Sequence, residues 1–129
     1  MARTALHPLA GYNAVEELQR EIAAGLDVNE ADDDGMTPLH HACIEKSYEA
    51  AKILLEAGAA VDVRDKWGGT ALGRAVYGKD GTVDLVRLLV EYGADPTIEN
   101  NKGTSPLALA QRTRKADYLA LFGADGSQA

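Results

Sequence analysis

The stretch G-M-T-P-L-H-H-A, residues 35–42, decides how the chain folds. The hydroxyl of Thr37 can accept a hydrogen bond from an unpaired amide in the first turn of a helix. Pro38 follows at the first helical position, where its fixed φ is suitable and its missing N–H costs nothing. Gly35 precedes them, where a tight turn can require a positive φ. The stretch therefore predicts a tight turn that leads directly into a helix.

The stretch recurs along the chain at a spacing of 33 residues. The spacing is kept by the threonines that open each copy and by the leucines two positions later, which are Thr4, Thr37 and Thr70 with Leu6, Leu39 and Leu72. A fourth copy begins at Ser105, 35 residues after Thr70, and the two extra residues fall within 78–81. The last copy is shortened by three residues, which is typical of a terminal repeat with one face in water.

These residues resemble the ankyrin-repeat family, whose period is about 33 residues and whose helices open on a Thr-Pro-Leu-His signature. The resemblance covers about residues 4–125. It implies an all-α ankyrin-repeat solenoid of four stacked helix-turn-helix units, with extended turns projecting from one edge and degenerate terminal repeats. We predict one domain over 1–129, with repeats at about 4–29, 32–62, 65–97 and 100–125 and a tail at 126–129. The resemblance also implies that Thr37 and His40 bond to one another.

The apolar spacing and the glycine stops place two helices in each repeat. We predict helices at about 4–12, 14–24, 38–45, 48–57, 71–77, 83–92, 106–111 and 115–122. Three polar residues are predicted to cap second helices: Asn13, Ser47 and Thr82. Three tyrosines are predicted to pack the second helices: Tyr48, Tyr92 and Tyr118.

The charge distribution limits the class of partner. A net charge of −7 argues against nucleic acid, because phosphate binding needs a basic face. Residues 1–34 hold two arginines and eight acidic residues, a net charge of −6, whereas the remainder carries −1. This N-terminal acidity is either a solvated polar cap or a patch that attracts a basic partner protein.

His40 and Cys43 are the candidates for chemistry, because they lie three residues apart on one predicted helix face. A thiolate beside an imidazole is a nucleophile pattern. The structural reading competes with it, because the resemblance implies a small buried residue at Cys43. The side chains of adjacent His40 and His41 point about 100° apart on a helix, so they cannot easily converge on one metal ion. Residues 32–35 lack the alternating calcium ligands of an EF-hand. We expect no enzymatic activity, no cofactor and no metal site.

The cysteine and hydropathy patterns bear on location. Cys43 is the single cysteine, so no internal disulfide forms. No stretch has the length and apolarity of a membrane span, and residues 1–8 lack the apolar core of a secretory signal. We expect a cytoplasmic protein that does not associate with membranes and is monomeric by itself.

The resemblance implies that partners contact the turn tips and the concave face of the first helices. The matching residues are Tyr12 in the first repeat, Asp33, Asp34, Met36, Ile44 and Glu45 in the second, Lys66, Trp67 and Tyr77 in the third, and Asn101 and Lys102 in the fourth. Trp67 is the strongest of these candidates, because aromatics are the commonest interface anchors. Its alternative is to lie flat over its own turn against Lys66 or Arg64. Residues 78–81 are either a tolerated insertion or a specificity loop.

The predicted function is non-enzymatic protein–protein interaction through a rigid concave and turn-tip surface. Such a surface is formed before binding, so that little order is lost on association. An alternative, by analogy of architecture and charge, is an immunity- or antitoxin-type inhibitor that binds and blocks a basic toxic enzyme.

Overall fold

The computed structural model describes residues 6–77 and 83–123 of the chain, and all regular secondary structure in these ranges is helical. The helices form four consecutive pairs: α1 (Leu6–Gly11) with α2 (Val15–Ala23), α3 (Pro38–Ile44) with α4 (Tyr48–Glu56), α5 (Ala71–Val76) with α6 (Val83–Glu91), and α7 (Pro106–Arg112) with α8 (Ala116–Leu121). None of the described helices is long and apolar enough to cross a membrane. The prediction of an all-α ankyrin-repeat solenoid is confirmed.

The pairs stack so that the first helices form one layer and the second helices another. In the first layer α1 packs on α3, α3 on α5, and α5 on α7, while in the second α2 packs on α4, α4 on α6, and α6 on α8. Leu39, Leu54, Leu72 and Leu89 are fully buried between the layers. A single pair cannot enclose such an apolar face, so each repeat depends on its neighbour.

The first helices begin at hydroxyl caps, as their sequences predict. The side chains of Thr37, Thr70 and Ser105 each accept a hydrogen bond from the backbone amide three residues later. At Thr37 the bond is reciprocal, because its backbone N–H donates to Nδ1 of His40 at 3.1 Å. The predicted bond between Thr37 and His40 is therefore confirmed.

Two predicted caps of second helices are wrong. Asn13 adopts a positive φ of 58°, and its Oδ1 accepts a hydrogen bond from the Ala50 amide at 2.9 Å. Ser47 precedes α4 but makes no side-chain cap, because its Oγ donates to the Gly11 carbonyl at 2.9 Å. Both side chains are used to join the first repeat to the second. Thr82, the third predicted cap, and the insertion at 78–81 lie outside the described residues.

The extended turns are built on one acidic or amide residue each. Asp32, Asp65 and Asn100 occupy equivalent positions, and Oδ1 of each accepts the backbone amides two and four residues later. These side-chain bonds add to the backbone bonds within each turn, such as that from the Asp65 amide to the Gly69 carbonyl at 2.9 Å. Each first helix is thus preceded by a turn of fixed shape.

Neighbouring turns lie directly against one another. The Lys66 amide donates to the Asp34 carbonyl, and the Asn101 amide donates to the Trp67 carbonyl, both at 2.9 Å. The approach is closest at Gly68, which has a φ of +80°. A Cβ added there would lie 2.5 Å from Oδ1 and 2.8 Å from the backbone nitrogen of Asn101. Glycine is therefore required at this position both for conformation and for space.

The three tyrosines expected to pack the second helices differ in burial. Tyr118 is 2% exposed and belongs to the core, and Tyr48 is partly buried against it. Tyr92 lies just beyond the end of α6 and is 43% exposed, so the prediction is wrong for this residue.

Candidate protein-binding groove

A groove of about 500 Å³ lies between the third and fourth repeats, beside their turns and the first helices α5 and α7. Its apolar lining consists of Met36, Trp67, Tyr77, Ile98, Pro106 and Leu109. Its polar lining includes Arg74, Asn100, Asn101, Lys102 and Thr104. A concave, mostly apolar site with a few polar groups is typical of a binding site, and this volume lies in the usual range for one.

The groove lies where the first two repeats hold an imidazole ring. His7 and His40 occupy equivalent positions in the first two repeats, and both are buried. Their Nε2–H groups donate to carbonyls of the following turns, His7 to Met36 and His40 to Gly69, each at 2.9 Å. In these two repeats a histidine side chain therefore bridges the gap between a first helix and the next turn.

In the third repeat the equivalent residue is Gly73, which has no side chain to bridge that gap. A Cβ added to Gly73 would meet only Oγ1 of Thr70 at 3.8 Å and Cγ of Pro106 at 3.9 Å, which are ordinary contacts. Gly73 and Thr104, the counterparts of His40 and Gly69, both line the groove. The missing imidazole explains why the space is open here.

Asp65 organises the wall of the groove. Its Oδ2 accepts from Nη2 and Nε of Arg74 at 2.6 and 3.2 Å, and its Oδ1 accepts from the amides of Trp67 and Gly69 at 2.9 Å. Burial by itself would raise the pKa of Asp65, but the hydrogen bonds from Arg74 and the two amides outweigh it and lower the pKa. The carboxylate therefore stays charged and fixes both the guanidinium and the Trp67 backbone.

The indole of Trp67 is 48% exposed, and it rests against two cations. Nζ of Lys66 lies 4.8 Å from a Trp67 ring centroid, and Cζ of Arg74 lies 5.7 Å from one. Such cation–π contacts hold a ring in place while leaving part of it accessible. Of the two alternatives, the contact with Lys66 is present, while the guanidinium of Arg64 donates to the carbonyls of Gly68 and Glu99. The Trp67 ring thus lies against Lys66 of its own turn and still exposes about half of its surface.

Lys46 anchors the chain where Tyr77 leaves α5. Its Nζ donates to the carbonyls of Arg74, Ala75 and Tyr77 at 2.9, 3.0 and 2.8 Å. An ammonium group at a helix C-terminus satisfies carbonyls that have no partner within the helix. Tyr77 is 69% exposed, so its ring is accessible while its backbone is held by the preceding repeat.

Seven of the predicted contact residues lie in or beside the groove. Those that line it are Met36, Trp67, Tyr77, Asn101 and Lys102. Met36 is only 9% exposed and offers little surface. Lys66 and Asp34 lie on the adjoining turns and form an ion pair, with Nζ and Oδ1 3.1 Å apart.

The other four predicted contact residues belong to the first two repeats and do not line the groove. Tyr12 is 83% exposed, Ile44 is 38% exposed, and Asp33 and Glu45 are exposed as well. Glu45 lies beside the end of α1, because a Cβ on Gly11 would be 3.6 Å from its Cγ. Two of these residues, Asp33 and Glu45, are acidic, whereas the charged residues that line the groove are Arg74 and Lys102.

Sequence reasoning missed several lining residues, chiefly Gly73, Arg74, Ile98, Pro106 and Leu109. A signal for Gly73 was present, because the repeat alignment places it where His7 and His40 stand. The change from histidine to glycine removes a bulky side chain from a position that contacts the next repeat. The role of Arg74 follows from its hydrogen bonds to Asp65, which the sequence pattern does not indicate.

The His40–Cys43 pair is not arranged for nucleophilic chemistry. Cys43 is fully buried, and burial raises the pKa of its thiol to about 12. Both ring nitrogens of His40 are engaged, Nδ1 with Thr37 and Nε2 with Gly69. Within 6–77 and 83–123, no group of three His, Cys, Asp or Glu residues could hold a metal ion.

Comparison with known proteins matches most of the chain to one kind of repeat. Residues 1–65 match the family described as Ankyrin repeats (3 copies), and residues 67–101 match that described as Ankyrin repeat. The matched ranges include the Trp67 turn and the whole of α5.

Curated relatives share the repeat region and are much longer. Ankyrin repeat domain-containing protein 13B of Mus musculus is 32% identical over 114 residues, covering 88% of this chain and 18% of that protein. B-cell lymphoma 3 protein homolog of Mus musculus is 34% identical over 129 residues, covering 97% and 28%. NAD-dependent deacetylase sir2B of Dictyostelium discoideum is 35% identical over 104 residues, covering 74% and 13%. The chain therefore spans less than a third of each of these relatives.

Proposed function

Because the chain belongs to the ankyrin-repeat family, we propose that it is a non-enzymatic module that binds another protein through the groove between its third and fourth repeats. Ankyrin repeats are generally protein–protein interaction modules and are typically non-catalytic. The observation that carries the choice of site is the combination of an open histidine position at Gly73 with two exposed aromatic rings, Trp67 and Tyr77. Pockets bordered by fixed aromatics are typical of interface hot spots.

The groove is well suited to binding because its edges are already ordered. Asp65 holds the Trp67 turn, and Lys46 holds the backbone at Tyr77. A partner then loses little affinity to the ordering of this surface. Truncating a central aromatic anchor such as Trp67 should weaken binding by about 2 kcal/mol, or about 30-fold.

The proposal can be tested by site-specific photocrosslinking. A benzophenone amino acid placed at Tyr77 should crosslink one partner protein from a lysate of the source cells, which mass spectrometry then identifies. The matched control is the same probe at Tyr92, which is exposed at the end of α6 and does not line the groove. The Trp67→Ala, Tyr77→Ala double variant should lose the same partner while retaining its far-UV circular dichroism.

The outcomes separate the binding role from its location. A partner captured equally from positions 77 and 92, or retained by the folded double variant, would remove the groove as the site. If neither position captured a specific partner, and the immobilised chain also retained none from the lysate, the binding role itself would be contradicted.

A second candidate is the immunity- or antitoxin-type inhibitor of a basic toxic enzyme, favoured by the acidic first third of the chain. Its surface would include Tyr12, Asp33 and Glu45, which are exposed outside the groove. An Asp33→Lys, Glu45→Lys variant should then lose a basic partner whose activity falls on binding to the wild type. Loss of the partner from the groove variant alone would exclude this reading.

We also propose that the protein acts as a monomer in the cytoplasm. The single thiol of Cys43 is buried, so it is not available to link two copies. Sedimentation velocity of the purified protein and imaging of a tagged copy in source cells would test the two statements separately.

A further inference from the structure

The charges around the groove are opposite to those of the N-terminal third. The lining contains the cations Arg74 and Lys102 and no Asp or Glu residue. Two carboxylates beside the groove are already paired, Asp65 behind Arg74 with a side chain that is 0% exposed, and Asp34 with Lys66. Glu99 is exposed between the lining residues Ile98 and Asn100, but it does not itself line the groove. A partner therefore meets an apolar groove with positive charge on its wall.

We propose that the groove binds a short acidic segment of a partner protein, with an apolar side chain at Gly73 and carboxylates on Arg74 and Lys102. This inference rests on the proposed function and names the chemistry of the partner at that site. Three features of the groove support it: the guanidinium of Arg74, the ammonium of Lys102 and the space at Gly73.

Arg74 retains donor capacity towards the groove. Its Nε and Nη2 both donate to Oδ2 of Asp65, and its side chain is 29% exposed. Among the described residues no acceptor meets Nη1. A guanidinium held in one orientation by a buried carboxylate can bind a second carboxylate with a short, charge-assisted hydrogen bond. Asp65 thus fixes the donor without using all of it.

Lys102 supplies a second cation on the fourth-repeat turn. Its backbone amide donates to Oδ1 of Asn100, which fixes the turn, while no acidic residue in the described ranges pairs with its ammonium. Arg112 lies close by, with Nη2 3.5 Å from Oγ1 of the groove residue Thr104. Carboxylates flanking an apolar anchor would therefore meet cations on both the helix and the turn side.

The space at Gly73 suits an apolar side chain of moderate size. At the equivalent place between the second and third repeats, the His40 ring fills the gap and is 1% exposed. The gap at Gly73 is bordered by Pro106, Leu109 and Ile98, which offer no polar partner from their side chains. A leucine or phenylalanine of the partner would bury apolar surface there without leaving a polar group unpaired.

The overall charge of −7 does not oppose this binding at short range. Most of that charge belongs to residues 1–34, and residues 35–129 carry a net charge of only −1. Charges separated by more than about 8 Å are largely screened at physiological ionic strength. The cations that line the groove then dominate the interaction with a docked segment.

The test is a selection of phage-displayed random twelve-residue peptides on the immobilised full chain, with counter-selection on the Trp67→Ala, Tyr77→Ala variant. We expect enriched peptides with Asp or Glu on either side of a Leu, Ile or Phe. Binding of a synthetic enriched peptide can be followed by fluorescence, because Trp67 is the single tryptophan of the chain. Replacing the peptide's acids by lysine should weaken binding by at least tenfold.

Three variants locate the charge and the anchor. Lys102→Glu should lower the affinity for the peptide at least tenfold. Lys52→Glu, the same change on the exposed face of α4, should alter that affinity less than twofold. Gly73→His should abolish binding without lowering the melting temperature, because the ring occupies the groove and can reach the turn as His40 does.

Enrichment of neutral or basic peptides, equal effects of Lys102→Glu and Lys52→Glu, or the absence of any groove-dependent peptide would each overturn the acidic assignment. None of these results would affect the proposed function, which is decided by crosslinking a whole partner protein at position 77. Failure of that crosslinking would remove the proposed function independently of the peptide result.

Discussion

The gap between the second and third repeats is closed, whereas the equivalent gap between the third and fourth repeats is open. In the closed gap His40 lies 1% exposed and donates to the Gly69 carbonyl. In the open gap Gly73 replaces the histidine, and a groove of about 500 Å³ takes the place of the ring. The two gaps share their helix caps and their turn shapes. The difference shows that one residue at a contact position can decide whether the joint between two repeats is filled or left as an open groove.

A second difference concerns the residue that follows the histidine position. His41, Arg74 and Leu109 occupy this place in the second, third and fourth repeats, whose turns are built on Asp32, Asp65 and Asn100. His41 donates to Asp32 at 2.8 Å, and Arg74 donates to Asp65 at 2.6 Å. Where the turn residue is the neutral Asn100, no charge needs a partner, and Leu109 contributes to the apolar lining of the groove instead.

The largest effect is expected from emptying the closed gap with His40→Gly. The change removes a buried ring, leaves the Thr37 amide without its partner, and leaves the Gly69 carbonyl with only the bond from the Asp65 amide. A cavity together with an unpaired amide should lower the free energy of unfolding by about 4 kcal/mol. Urea denaturation measures this, with wild type as reference. A loss below about 1 kcal/mol would mean that the ring does not hold the joint.

The stacking of the turns can be measured by comparing Gly68→Ala with Gly103→Ala. Both glycines have a φ of +80°, so both variants suffer the same backbone strain of about 1 kcal/mol. Only at Gly68 would the new Cβ collide with Asn101, whereas at Gly103 no atom lies within 4 Å. We expect Gly68→Ala to cost about 3 kcal/mol in total. Equal losses in urea denaturation would show that the turns yield without cost.

Acid should weaken the closed gap before it affects the turns. Burial lowers the pKa of His40, although its bond to Gly69 and nearby Asp65 favour protonation. Because the pKa of His40 is lower in the folded state than in the unfolded state, where it is about 6.5, the unfolded state binds the proton more readily. The free energy of unfolding is therefore highest above pH 6.5 and decreases as the pH falls below that value. The loss is at most about 1.4 kcal/mol per pH unit for one proton.

Two measurements check this pH response. Thermal unfolding between pH 8 and pH 5 should show a falling melting temperature, and NMR titration should show His40 still neutral below pH 6.5. Losses from Asp32 and Asp65, whose pKa values are lowered by net hydrogen bonding despite the opposing effect of burial, should follow only below about pH 4. A His40 resonance that titrates above pH 6.5 would reverse the sign.

The smallest effect is expected at the open gap itself. Gly73→Ala should raise the free energy of unfolding by about 0.5 to 1 kcal/mol, because alanine is favoured over glycine within a helix. The added methyl makes only contacts of 3.8 and 3.9 Å. Urea denaturation again measures the change. A net loss of stability would show that glycine is needed at this site for more than the opening of the groove.

The fold could be predicted from the sequence because its signals are local and repeated. Thr37, Pro38 and His40 form the same helix start that their residue types predict, and the bond between Thr37 and His40 is present. The caps at Asn13 and Ser47 were mispredicted because their side chains bond across the joint instead, to Ala50 and Gly11. Propensity describes a residue within its own helix, whereas these contacts come from stacking.

The site was only partly predictable for the same reason. Trp67 and Tyr77 follow from their positions on a turn and at a helix end, and both line the groove. Met36 lies at a turn position that is predicted to be accessible, but it is buried. The turn of the third repeat packs on the turn that carries it, as the hydrogen bond from the Lys66 amide to the Asp34 carbonyl shows. The contribution of Arg74 depends on the buried carboxylate of Asp65, a tertiary contact that no spacing rule contains.

The vacant histidine position also makes the groove a portable feature of the stack. Because each joint is made by residues about one repeat apart, a groove belongs to a register position and not to a unique place in the fold. Duplication of the repeat that carries Gly73 and Trp67 would therefore give a longer chain with two grooves in series. Histidine at either position would fill that groove and leave the scaffold intact. The surface of such a chain can therefore evolve one repeat at a time.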